Sequence, residues 1–424
     1  MSVQAITPAP GPIDAEVRVP GSKSLTNRAM CMAALATGTS TLHNALFSDD
    51  TRYFGEALRA LGIEVREDAD AATISVDGQG GTIPAREADL FVGNAGTAAR
   101  FLTALLALGE GCYTVDGVPR MRERPIDELL AALTSQGARI TSDSQPPRMP
   151  FTLCGAGLAG GNLQISGMRS SQPISALLMV APLARAATTV HITGALVSKP
   201  FVGMTTRLMG QFGVTAAGGS TSLYIAAGQR YHPVNMMIEP DATNASYFFA
   251  AAAVTGGQVR VTGLTRDSLQ GDLAFLEVLH RMRCKVRWRG DEVTVRGPAQ
   301  LAGVDVNLAP ISDTAPTLAA IAPFAKAPVT IRGIAHTRLQ ETDRVAAMAT
   351  ELRRLGVPVE ERDDGLRIEP ATPRGATVET YEDHRMAMAF AVTGLRTPGI
   401  AIADPGCTAK TFPDYFTRFA QLEG

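Results

Sequence analysis

The chain has 424 residues, of which 45% are hydrophobic and 19% are charged, and its formal net charge is −2. This composition excludes a disordered chain and predicts a large buried core, which at this length favours two domains. A net charge this small also argues against a general attraction to nucleic acid or to anionic membranes, so any affinity for anions must come from local clusters.

Cysteine and histidine spacing gives no sign of a disulfide framework or of a metal site. The five cysteines are scattered and include no C-x-x-C pair, and the six histidines show no metal-ligand spacing. We therefore expect reduced thiols, as in a cytoplasmic protein, and no bound metal. The first β-run begins within about twenty residues of Met1, which predicts the absence of a targeting segment. The apolar stretches are too short to predict a membrane span.

One pattern of predicted elements recurs six times along the chain. Each copy runs from a polar patch into an apolar helix, a β-run, a charged turn, an amphipathic helix and another β-run. The residue after the first β-run recurs every 69 to 77 residues, at Ala45, Gly117, Gly194, Gly263, Gly333 and Pro405. A period this regular predicts one supersecondary unit used six times, three times in each domain.

The first helix of each copy is apolar on nearly all sides. In chain order these helices are predicted at residues 28–36, 97–108, 173–184, 245–254, 316–325 and 386–392. A helix without a polar face is a buried helix, so we expect all six to lie inside the protein behind surface sheets. The second helix is amphipathic, as in residues 344–355, where Val345, Met348 and Leu352 share one face.

Cations lie just before three of the amphipathic helices. These helices are predicted to begin with a proline at their first position, at Pro125, Pro200 and Pro413. The cations upstream are Arg120, Arg122, Arg124, Lys199 and Lys410. A cation near the positive end of a helix costs roughly 0.3–1 kcal/mol. In a single turn it would simply be solvated, but the repetition favours an anionic ligand shared by these turns.

A second series of polar patches precedes the apolar helices. The patches are residues 21–28, 93–100, 170–172, 241–244, 312–313 and 382–385. Helix capping explains residues such as Thr97. It does not explain Lys23 and Arg28, because an unpaired cation beside a buried helix is unfavourable. Together with serines, Gln172 and the backbone N–H groups near Gly96, these cations predict a site for phosphates and carboxylates.

Acidic residues are fewer in these patches. We interpret Asp343 and Asp383 as salt-bridge partners of nearby arginines. Asp313 heads a buried helix and Glu341 stands among basic residues. Both are candidates for proton transfer, because a cationic site needs a base to run chemistry at neutral pH. His384, between an acid and an arginine, is interpreted as a residue that lines the site.

Seven motifs, taken together and in order, resemble those of the 5-enolpyruvylshikimate-3-phosphate (EPSP) synthase family. They are Pro20-Gly-Ser-Lys-Ser, Gly93-Asn-Ala-Gly-Thr, Arg120-Met-Arg-Glu-Arg-Pro, Ser170-Ser-Gln, Glu341-Thr-Asp-Arg, Asp383-His-Arg-Met-Ala and Cys407-Thr-Ala-Lys-Thr-Phe-Pro. The resemblance implies a two-domain inside-out α/β barrel of six βαβαββ repeats with buried helices. One domain would hold residues 21–239 and the other residues 1–20 and 240–424, with the active site in the cleft between them.

The resemblance also implies a reaction. The family transfers the carboxyvinyl group of phosphoenolpyruvate to the 5-hydroxyl of shikimate 3-phosphate and releases phosphate, by addition and elimination through a tetrahedral intermediate. This step belongs to the shikimate pathway of aromatic amino acid biosynthesis. The implied partners are these two small molecules alone, with no metal or organic cofactor, no nucleic acid and no membrane. The resemblance further implies a cytoplasmic monomer.

The motifs assign site residues by resemblance. Phosphoenolpyruvate would be bound by Lys23, Gly96, Arg124, Gln172, Arg344, Arg385 and Lys410. Shikimate 3-phosphate would be bound by Lys23, Ser24, Arg28, Ser170, Ser171, Gln172, Ser198, Asp313 and Gln340. Asn94, Thr97 and His384 would line the site. In the chemistry, Asp313 would accept the proton of the 5-hydroxyl, Glu341 would move the methylene proton and Lys23 would protonate the leaving phosphate.

Four residues depart from the commoner family pattern. Gln340 replaces a lysine, Phe201 a tyrosine and His336 an asparagine, which leaves the contacts to shikimate 3-phosphate open. Phe101 replaces a proline. This substitution leads to the hypothesis that the turn at Gly96 shifts and changes the response to glyphosate, which competes with phosphoenolpyruvate in this family.

Three other functions stay open at this point. The UDP-N-acetylglucosamine enolpyruvyl transferases share the fold and the donor, but they usually have Lys-Asn where this chain has Lys23-Ser24 and a cysteine in a loop that here, at residues 120–125, has none. A ring-shaped DNA clamp also has six repeats, but it needs basic helix faces rather than basic helix starts. A phosphate-binding protein without activity is disfavoured because Lys23, Asp313 and Glu341 occur together.

Overall fold

The structure, a computed structural model, describes residues 2–423. The chain folds as two compact units. The middle unit is Gly21–Ile238, and the end unit combines the chain up to Pro20 with the chain from Glu239 onward. Within residues 2–423, no helix has both the length and the apolar sequence that a membrane span requires.

The described chain alternates strands and helices throughout. The strands are β1 (Val3–Ala5), β2 (Asp14–Val17), β3 (Thr37–His43), β4 (Glu64–Asp68), β5 (Thr73–Gln79), β6 (Glu87–Phe91), β7 (Cys112–Asp116), β8 (Arg139–Ser142), β9 (Phe151–Cys154), β10 (Gly161–Ser166), β11 (Thr188–Thr193), β12 (Ala217–Gly218), β13 (Ser222–Ile225), β14 (Asn235–Met237), β15 (Gln258–Thr262), β16 (Lys285–Arg289), β17 (Glu292–Arg296), β18 (Asp305–Asn307), β19 (Val329–Arg332), β20 (Val359–Arg362), β21 (Gly365–Ile368), β22 (Thr377–Val378) and β23 (Ala401–Ala403). The α-helices are α1 (Lys23–Leu35), α2 (Asp49–Ala60), α3 (Gly96–Leu106), α4 (Pro119–Glu123), α5 (Asp127–Ser135), α6 (Gln172–Val180), α7 (Lys199–Gln211), α8 (Ala242–Thr255), α9 (Phe275–Arg281), α10 (Ala315–Ile321), α11 (Arg344–Arg354), α12 (His384–Gly394) and α13 (Tyr415–Ala420). Short 3₁₀ helices include Gly271–Ala274, Ala309–Thr314, Ala335–Leu339 and Pro405–Lys410.

Three sheets are built from strands that follow one another in the chain. In β6–β7–β9–β8, the first two strands are parallel and joined by α3, and an antiparallel hairpin completes the sheet. The orders β10–β11–β13–β12 and β18–β19–β21–β20 repeat this arrangement. A parallel pair needs a crossover connection, whereas an antiparallel pair can be joined by a short turn. The copies therefore share one topology.

The other three sheets each take one strand from a distant part of the chain. β14 pairs in parallel with β3, where Asn235 lies opposite Thr41, and β2 pairs in parallel with β15, where Asp14 lies opposite Gln258. The last sheet has only three strands, β1–β23–β22, and its antiparallel member β1 comes from the chain start. The predicted α/β fold of six related copies is confirmed, with a shortened sixth copy.

Six helices in the described part of the chain are buried along nearly their whole length: α1, α3, α6, α8, α10 and α12. In each unit, the three buried helices pack against one another in pairs. Their alanines permit this close approach. The burial predicted for these helices is confirmed, but several begin earlier than expected. α1 starts at Lys23 rather than residue 28, because its polar first turn is also buried.

The predicted position of proline at the start of three helices is wrong. α5 begins at Asp127 and α13 at Tyr415, each two residues after the proline, and Pro200 is the second residue of α7. For α5 the physical reason is visible at Ile126, whose φ of −141° lies outside the helical range. The residue after Pro125 is therefore the N-cap, and the helix begins only at the next position.

The expectation of no disulfide is also wrong. Cys112 and Cys154 lie directly opposite each other on the antiparallel strands β7 and β9 and form a disulfide. Their Cα atoms are 4.0 Å apart. The two cysteines are 42 residues apart in the sequence, so only the pairing of the strands brings them together. Cys31, Cys284 and Cys407 remain thiols.

Candidate active site

Helices that carry the predicted site residues begin with cations. Lys23, Lys199 and Arg344 are the first residues of α1, α7 and α11, and Arg385 is the second residue of α12. Each placement is unfavourable beside the positive end of the helix dipole. Acidic side chains that contact Lys23, Arg344 and Arg385 offset the repulsion at three of these helix starts. Cations do occur at helix starts, as the sequence predicts. The prolines, however, are not the first residues of these helices.

Lys23 forms an ion pair inside the middle unit. Its Nζ lies 3.3 Å from Oδ2 of Asp50, and both side chains are buried. Asp50 is in the first turn of α2, where a negative charge suits the helix dipole. Asp50 was not predicted from the sequence, because an aspartate shortly after Ser48 is typical of an ordinary helix start. The pair holds the Lys23 ammonium group at the beginning of α1.

Arg124 lies against the first turn of α3. Its Nη1 donates to the backbone carbonyl of Asn94 at 3.0 Å and to Asn94 Oδ1 at 3.1 Å. A Cβ atom on Gly96, the first residue of α3, would lie only 2.5 Å from Arg124 Nη2. Glycine is therefore what lets the guanidinium approach the helix start. Thr97, the next residue, accepts from Asn27 Nδ2 at 2.7 Å.

Arg28 is buried inside the middle unit. Its Nε donates to Thr205 Oγ1 at 2.8 Å, and its Nη1 donates to the carbonyl of Ser24 at 3.0 Å. The guanidinium carbon also lies 5.1 Å from the centre of the Phe101 ring and 5.7 Å from that of Phe201. Burial lowers the pKa of Arg28 to about 9. Two residues that depart from the family pattern thus both contact this one arginine.

The predicted serines stand at the starts of α6 and α7. Ser170 Oγ accepts from the backbone N–H of Gln172 at 3.1 Å, and the Ser171 carbonyl accepts from the N–H of Ser175 at 3.0 Å. Ser198 precedes α7 in a left-handed conformation, with φ 49°. These positions lie beside the N–H groups that the first turn of a helix leaves unsatisfied.

Arg344 is the centre of a polar network in the end unit. Its Nε donates to Asp383 Oδ2 at 2.7 Å, its Nη1 to Asp313 Oδ1 at 3.0 Å, and its Nη2 to Glu341 Oε2 at 2.8 Å. Nη1 also donates to Gln340 Oε1. Burial alone would lower the pKa of Arg344, but the three carboxylates outweigh burial and raise it. The side chain is therefore a fully buried, permanent cation.

Two further cations complete this network. Arg385 donates from Nη2 to Asp313 Oδ2 at 2.7 Å, so Asp313 bridges two arginines. Lys410 Nζ lies 3.8 Å from Glu341 Oε1. The structure thus brings together, within one unit, the predicted acids Asp313 and Glu341 and the predicted cations that face them.

Three other titratable groups surround the network. Burial, together with the nearby charge of Asp313, raises the pKa of Asp272 to about 7, so this carboxyl is largely a neutral acid below that pH. Asp272 was not predicted from the sequence, because it lies in the short 3₁₀ helix Gly271–Ala274 and belongs to no motif. Burial lowers the pKa of His336 to about 4, and its Nε2 lies 2.9 Å from Ser312 Oγ. His384 is fully buried, 3.5 Å from Asp383, so its ring faces the interior.

The end-unit network has the composition of a carboxylate site with its own acids. Arginine forks bind planar carboxylates through paired hydrogen bonds, and Arg344 and Arg385 already bind them here. Asp313 and Glu341, on the same forks, can exchange protons with a bound molecule. Among residues 2–423, no three His, Cys, Asp or Glu side chains are grouped so as to hold a metal ion.

Comparison with known proteins agrees with these features. The sequence profile of EPSP synthase (3-phosphoshikimate 1-carboxyvinyltransferase) matches residues 8–419. A 3-phosphoshikimate 1-carboxyvinyltransferase of Trichormus variabilis is 55% identical over 425 residues, covering 100% of both chains. Another, from Shewanella baltica, is 48% identical over 413 residues, covering 96% of this chain and 97% of that protein.

Solved structures show the same fold. An EPSP synthase from Acinetobacter baumannii has a TM-score of 0.83 at 24% identity, covering 100% of this chain and 98% of that chain. The enolpyruvyl transferase NikO from Streptomyces tendae has a TM-score of 0.78 at 19% identity, covering 99% of this chain and 97% of that chain. The resemblance drawn from seven motifs is confirmed. Because the profile and both sequence relatives span nearly its whole length, this chain belongs to the EPSP synthase family of transferases.

Proposed function

We propose that this enzyme transfers the carboxyvinyl group of phosphoenolpyruvate to the 5-hydroxyl of shikimate 3-phosphate and releases phosphate. The observation that carries the proposal is the end-unit network, in which Arg344 and Arg385 share Asp313 while Glu341 contacts Arg344 and Lys410. A carboxylate ligand needs those arginines, and the transfer needs those acids. Membership of the EPSP synthase family supplies the identity of the substrates.

In this proposal, the end unit binds the carboxylate of phosphoenolpyruvate. Arg344 and Arg385 present guanidinium forks held by Asp383 and Asp313. Lys410, beside Glu341, contributes a cation for the phosphate. These groups are buried, so their attraction for an anion is stronger than it would be in water.

The middle unit supplies the remaining phosphate contacts. Lys23 and Arg124 provide cations at the starts of α1 and α3, and the backbone at Gly96 provides N–H groups. Gln172 stands at the start of α6. We propose that residues of both units serve the same reaction, with Asn94, Thr97 and His384 supporting these groups from neighbouring positions.

Shikimate 3-phosphate is the second anionic substrate in the proposal. Its proposed contacts are Lys23, Ser24, Arg28, Ser170, Ser171, Gln172, Ser198, Asp313 and Gln340. Arg28 is proposed as an indirect contact, because its guanidinium is buried and donates to Thr205 and to the carbonyl of Ser24. It thereby fixes the backbone that carries the Ser24 side chain.

The proposed chemistry balances in two stages. In the first, the 5-hydroxyl oxygen attacks C2 of phosphoenolpyruvate, Asp313 takes the hydroxyl proton, and the C3 methylene takes a proton from Glu341. In the second, the C2–O bond to phosphate breaks, Lys23 protonates the departing oxygen, and Glu341 takes a proton back from the C3 methyl group. Asp313 then releases its proton to solvent and Lys23 takes one up, which restores both groups. The carboxylate of the tetrahedral intermediate stays beside Arg344 and Arg385 throughout.

Measurement of phosphate release tests the proposal. We expect release from phosphoenolpyruvate only when shikimate 3-phosphate is present. UDP-N-acetylglucosamine serves as the competing acceptor, because the sister enzymes use it. Phosphate release with UDP-N-acetylglucosamine instead would overturn the assignment of shikimate 3-phosphate as the acceptor. Phosphate release with neither acceptor would indicate a binding protein without this activity. The names of the sequence relatives favour the first outcome.

The oligomeric state and the cellular location of the enzyme are two further proposals. We propose a cytoplasmic monomer, because the substrates implied for the family are small molecules and the site residues all come from one chain. Sedimentation equilibrium at micromolar concentration and fractionation of the source cells test these two points separately.

A further inference from the structure

The turn that leads into α12 is held in an unusual backbone conformation. Tyr381 and Glu382 are consecutive residues with φ values of 55° and 56°. Residues other than glycine rarely adopt positive φ, and two in succession persist only where surrounding contacts hold them. Something in the end unit must therefore hold this turn.

Glu351 makes the contacts that hold the turn. It is fully buried, and its Oε1 accepts from the Tyr381 hydroxyl at 2.7 Å. Its Oε2 accepts from the backbone N–H of Glu379 at 3.1 Å. Both contacts fall just before or within the left-handed segment, and the N–H of Asp383 closes the turn by donating to the Thr380 carbonyl at 2.9 Å. A buried carboxylate bound to backbone and to a phenol is a specific contact rather than a solvated surface charge.

Helix α11 grips the turn at both ends. Arg344 at its start binds Asp383, which follows the turn, and Glu351 binds Glu379 before the turn and Tyr381 within it. Arg344 and Glu351 are seven residues apart, which is close to two helical turns, so they lie on the same side of α11. One helix thus fixes the turn from both sides.

The turn in turn determines the position of Arg385. Asp383 caps α12 and accepts from the backbone N–H of Arg385 at 2.9 Å, while the Arg385 side chain reaches Asp313 at 2.7 Å. A change in the turn moves Asp383, and with it the first residues of α12. The orientation of the Arg385 guanidinium therefore depends on contacts made by Glu351.

We propose that Glu351 and Tyr381 are positioning residues for Arg385, and through Asp383 for Arg344. Neither contacts a substrate in this scheme. The inference rests on the proposed function only in taking Arg385 as a ligand of the phosphoenolpyruvate carboxylate. A residue that acts in this way controls the affinity for phosphoenolpyruvate more than the rate of the bound complex.

Tyr381→Phe and Glu351→Gln test the inference, with Arg353→Ala as the matched control. Arg353 is an exposed arginine of the same helix, and its ion pair is with Glu361, where Nη1 lies 3.8 Å from Oε2. We expect Tyr381→Phe and Glu351→Gln to raise the KM for phosphoenolpyruvate at least fivefold. The KM for shikimate 3-phosphate and kcat should stay within twofold, and Arg353→Ala should match the wild type.

Hydrogen–deuterium exchange gives a readout that does not depend on activity. We expect faster exchange in residues 379–387 of Tyr381→Phe and Glu351→Gln, with unchanged exchange in α8 and α10. Adding Glu382→Gly to Tyr381→Phe should restore the KM towards the wild-type value, because glycine adopts positive φ without strain.

Two results would overturn the inference. One is unchanged exchange in residues 379–387 together with an unchanged KM, and the other is an equal effect in Arg353→Ala. If the wild type does not release phosphate with shikimate 3-phosphate, the proposed function fails, whereas the exchange experiment still decides whether Glu351 holds the turn.

Discussion

Glu341 contacts both Arg344 and Lys410. In the proposed chemistry it gives and then retakes the proton at C3. Glu341→Gln keeps the shape of the side chain and its hydrogen bond to Arg344, but it cannot carry that proton. We expect kcat to fall by about 10²–10⁴-fold, the usual worth of one proton transfer.

The measurement for Glu341→Gln is phosphate release at saturating substrates, with calorimetry of shikimate 3-phosphate binding beside it. Glu361→Gln is the control, since Glu361 on strand β20 also accepts from an arginine, Arg338, at 3.0 Å. Near-normal turnover in Glu341→Gln would show that Glu341 does not carry the proton. Loss of shikimate 3-phosphate binding in this variant would instead indicate a structural role for Glu341.

Asp272 predicts a specific dependence of stability on pH. Burial and the nearby Asp313 raise its pKa from 3.8 to about 7, so the folded protein holds a proton here that the unfolded chain releases above about pH 4. Stability therefore falls as pH rises from about 4 to about 7, because the unfolded state binds fewer protons. Asp272→Asn removes this effect, which amounts to roughly 4 kcal/mol at most.

Urea unfolding of both proteins between pH 4 and pH 8 checks this prediction. The difference in unfolding free energy should move in favour of Asp272→Asn up to about pH 7 and then level off. Asp291→Asn, at an exposed hairpin, should follow the wild type at every pH. A constant difference between Asp272→Asn and wild type would mean that Asp272 is ionised throughout.

At the scale of the element, the start of α3 is built around Gly96. An added Cβ would meet Arg124 Nη2 at 2.5 Å, so Gly96→Ala displaces the guanidinium. The arginine is flexible, so the fold should survive while the affinity for phosphoenolpyruvate falls. We expect a KM about tenfold higher, or about 1.4 kcal/mol of lost binding, with the melting temperature unchanged.

Gly203→Ala is the matched control, because Gly203 also lies in a helix and its added Cβ would meet nothing within 4 Å. Steady-state kinetics of both variants, with phosphoenolpyruvate as the varied substrate, make the comparison. An unchanged KM in Gly96→Ala would show that Arg124 does not contribute to donor binding. An equal change of KM in Gly203→Ala would show that adding a methyl group to a helix lowers the affinity wherever it is placed.

Helices show how far local sequence reasoning reaches. The buried helices were predictable because alanine and larger apolar residues on nearly every side leave no polar face, as in α3 and α8. The start of α1 was less predictable, since Lys23 is buried in its first turn with a partner, Asp50, from another helix. The start of the amphipathic helix α11 at Arg344 was predicted correctly. The left-handed turn at Tyr381 carries no glycine and no local signal at all.

For the whole molecule, the six copies were predictable because their period is a property of the sequence itself. Pairings between distant segments were not. The ladder of β2 with β15 forms only when the chain start meets a distant copy, and the disulfide of Cys112 with Cys154 forms only when β7 and β9 of one copy pair. The residues of the candidate site were identified through motif resemblance, whereas Asp50 and Asp272 belong to no motif and emerged only from the folded contacts.

The topology also predicts which segments fold alone. Gly21–Ile238 contains every strand and helix of the middle unit, including β14. We expect this segment to unfold cooperatively on its own. Residues 239–424 lack β1 and β2 and should be markedly less stable. Joining residues 2–20 to their end through a flexible linker should restore stability, because β1 then pairs with β23 and β2 with β15.

Thermal unfolding followed by circular dichroism, with amide dispersion in NMR spectra, measures all three segments. The linked segment is the internal control for residues 239–424. Equal stability with and without residues 2–20 would show that the two pairings contribute little, and an unfolded Gly21–Ile238 would show that this unit needs its neighbour.

The contacts of Arg344 couple proton transfer to the binding of the donor substrate. Asp313 and Glu341 occupy the same guanidinium that, under the proposed function, receives the phosphoenolpyruvate carboxylate. The incoming carboxylate competes with them, and a carboxylate that loses a cationic neighbour becomes a stronger base. We therefore expect Asp313 and Glu341 to be weaker bases in the empty enzyme and stronger bases once phosphoenolpyruvate has bound.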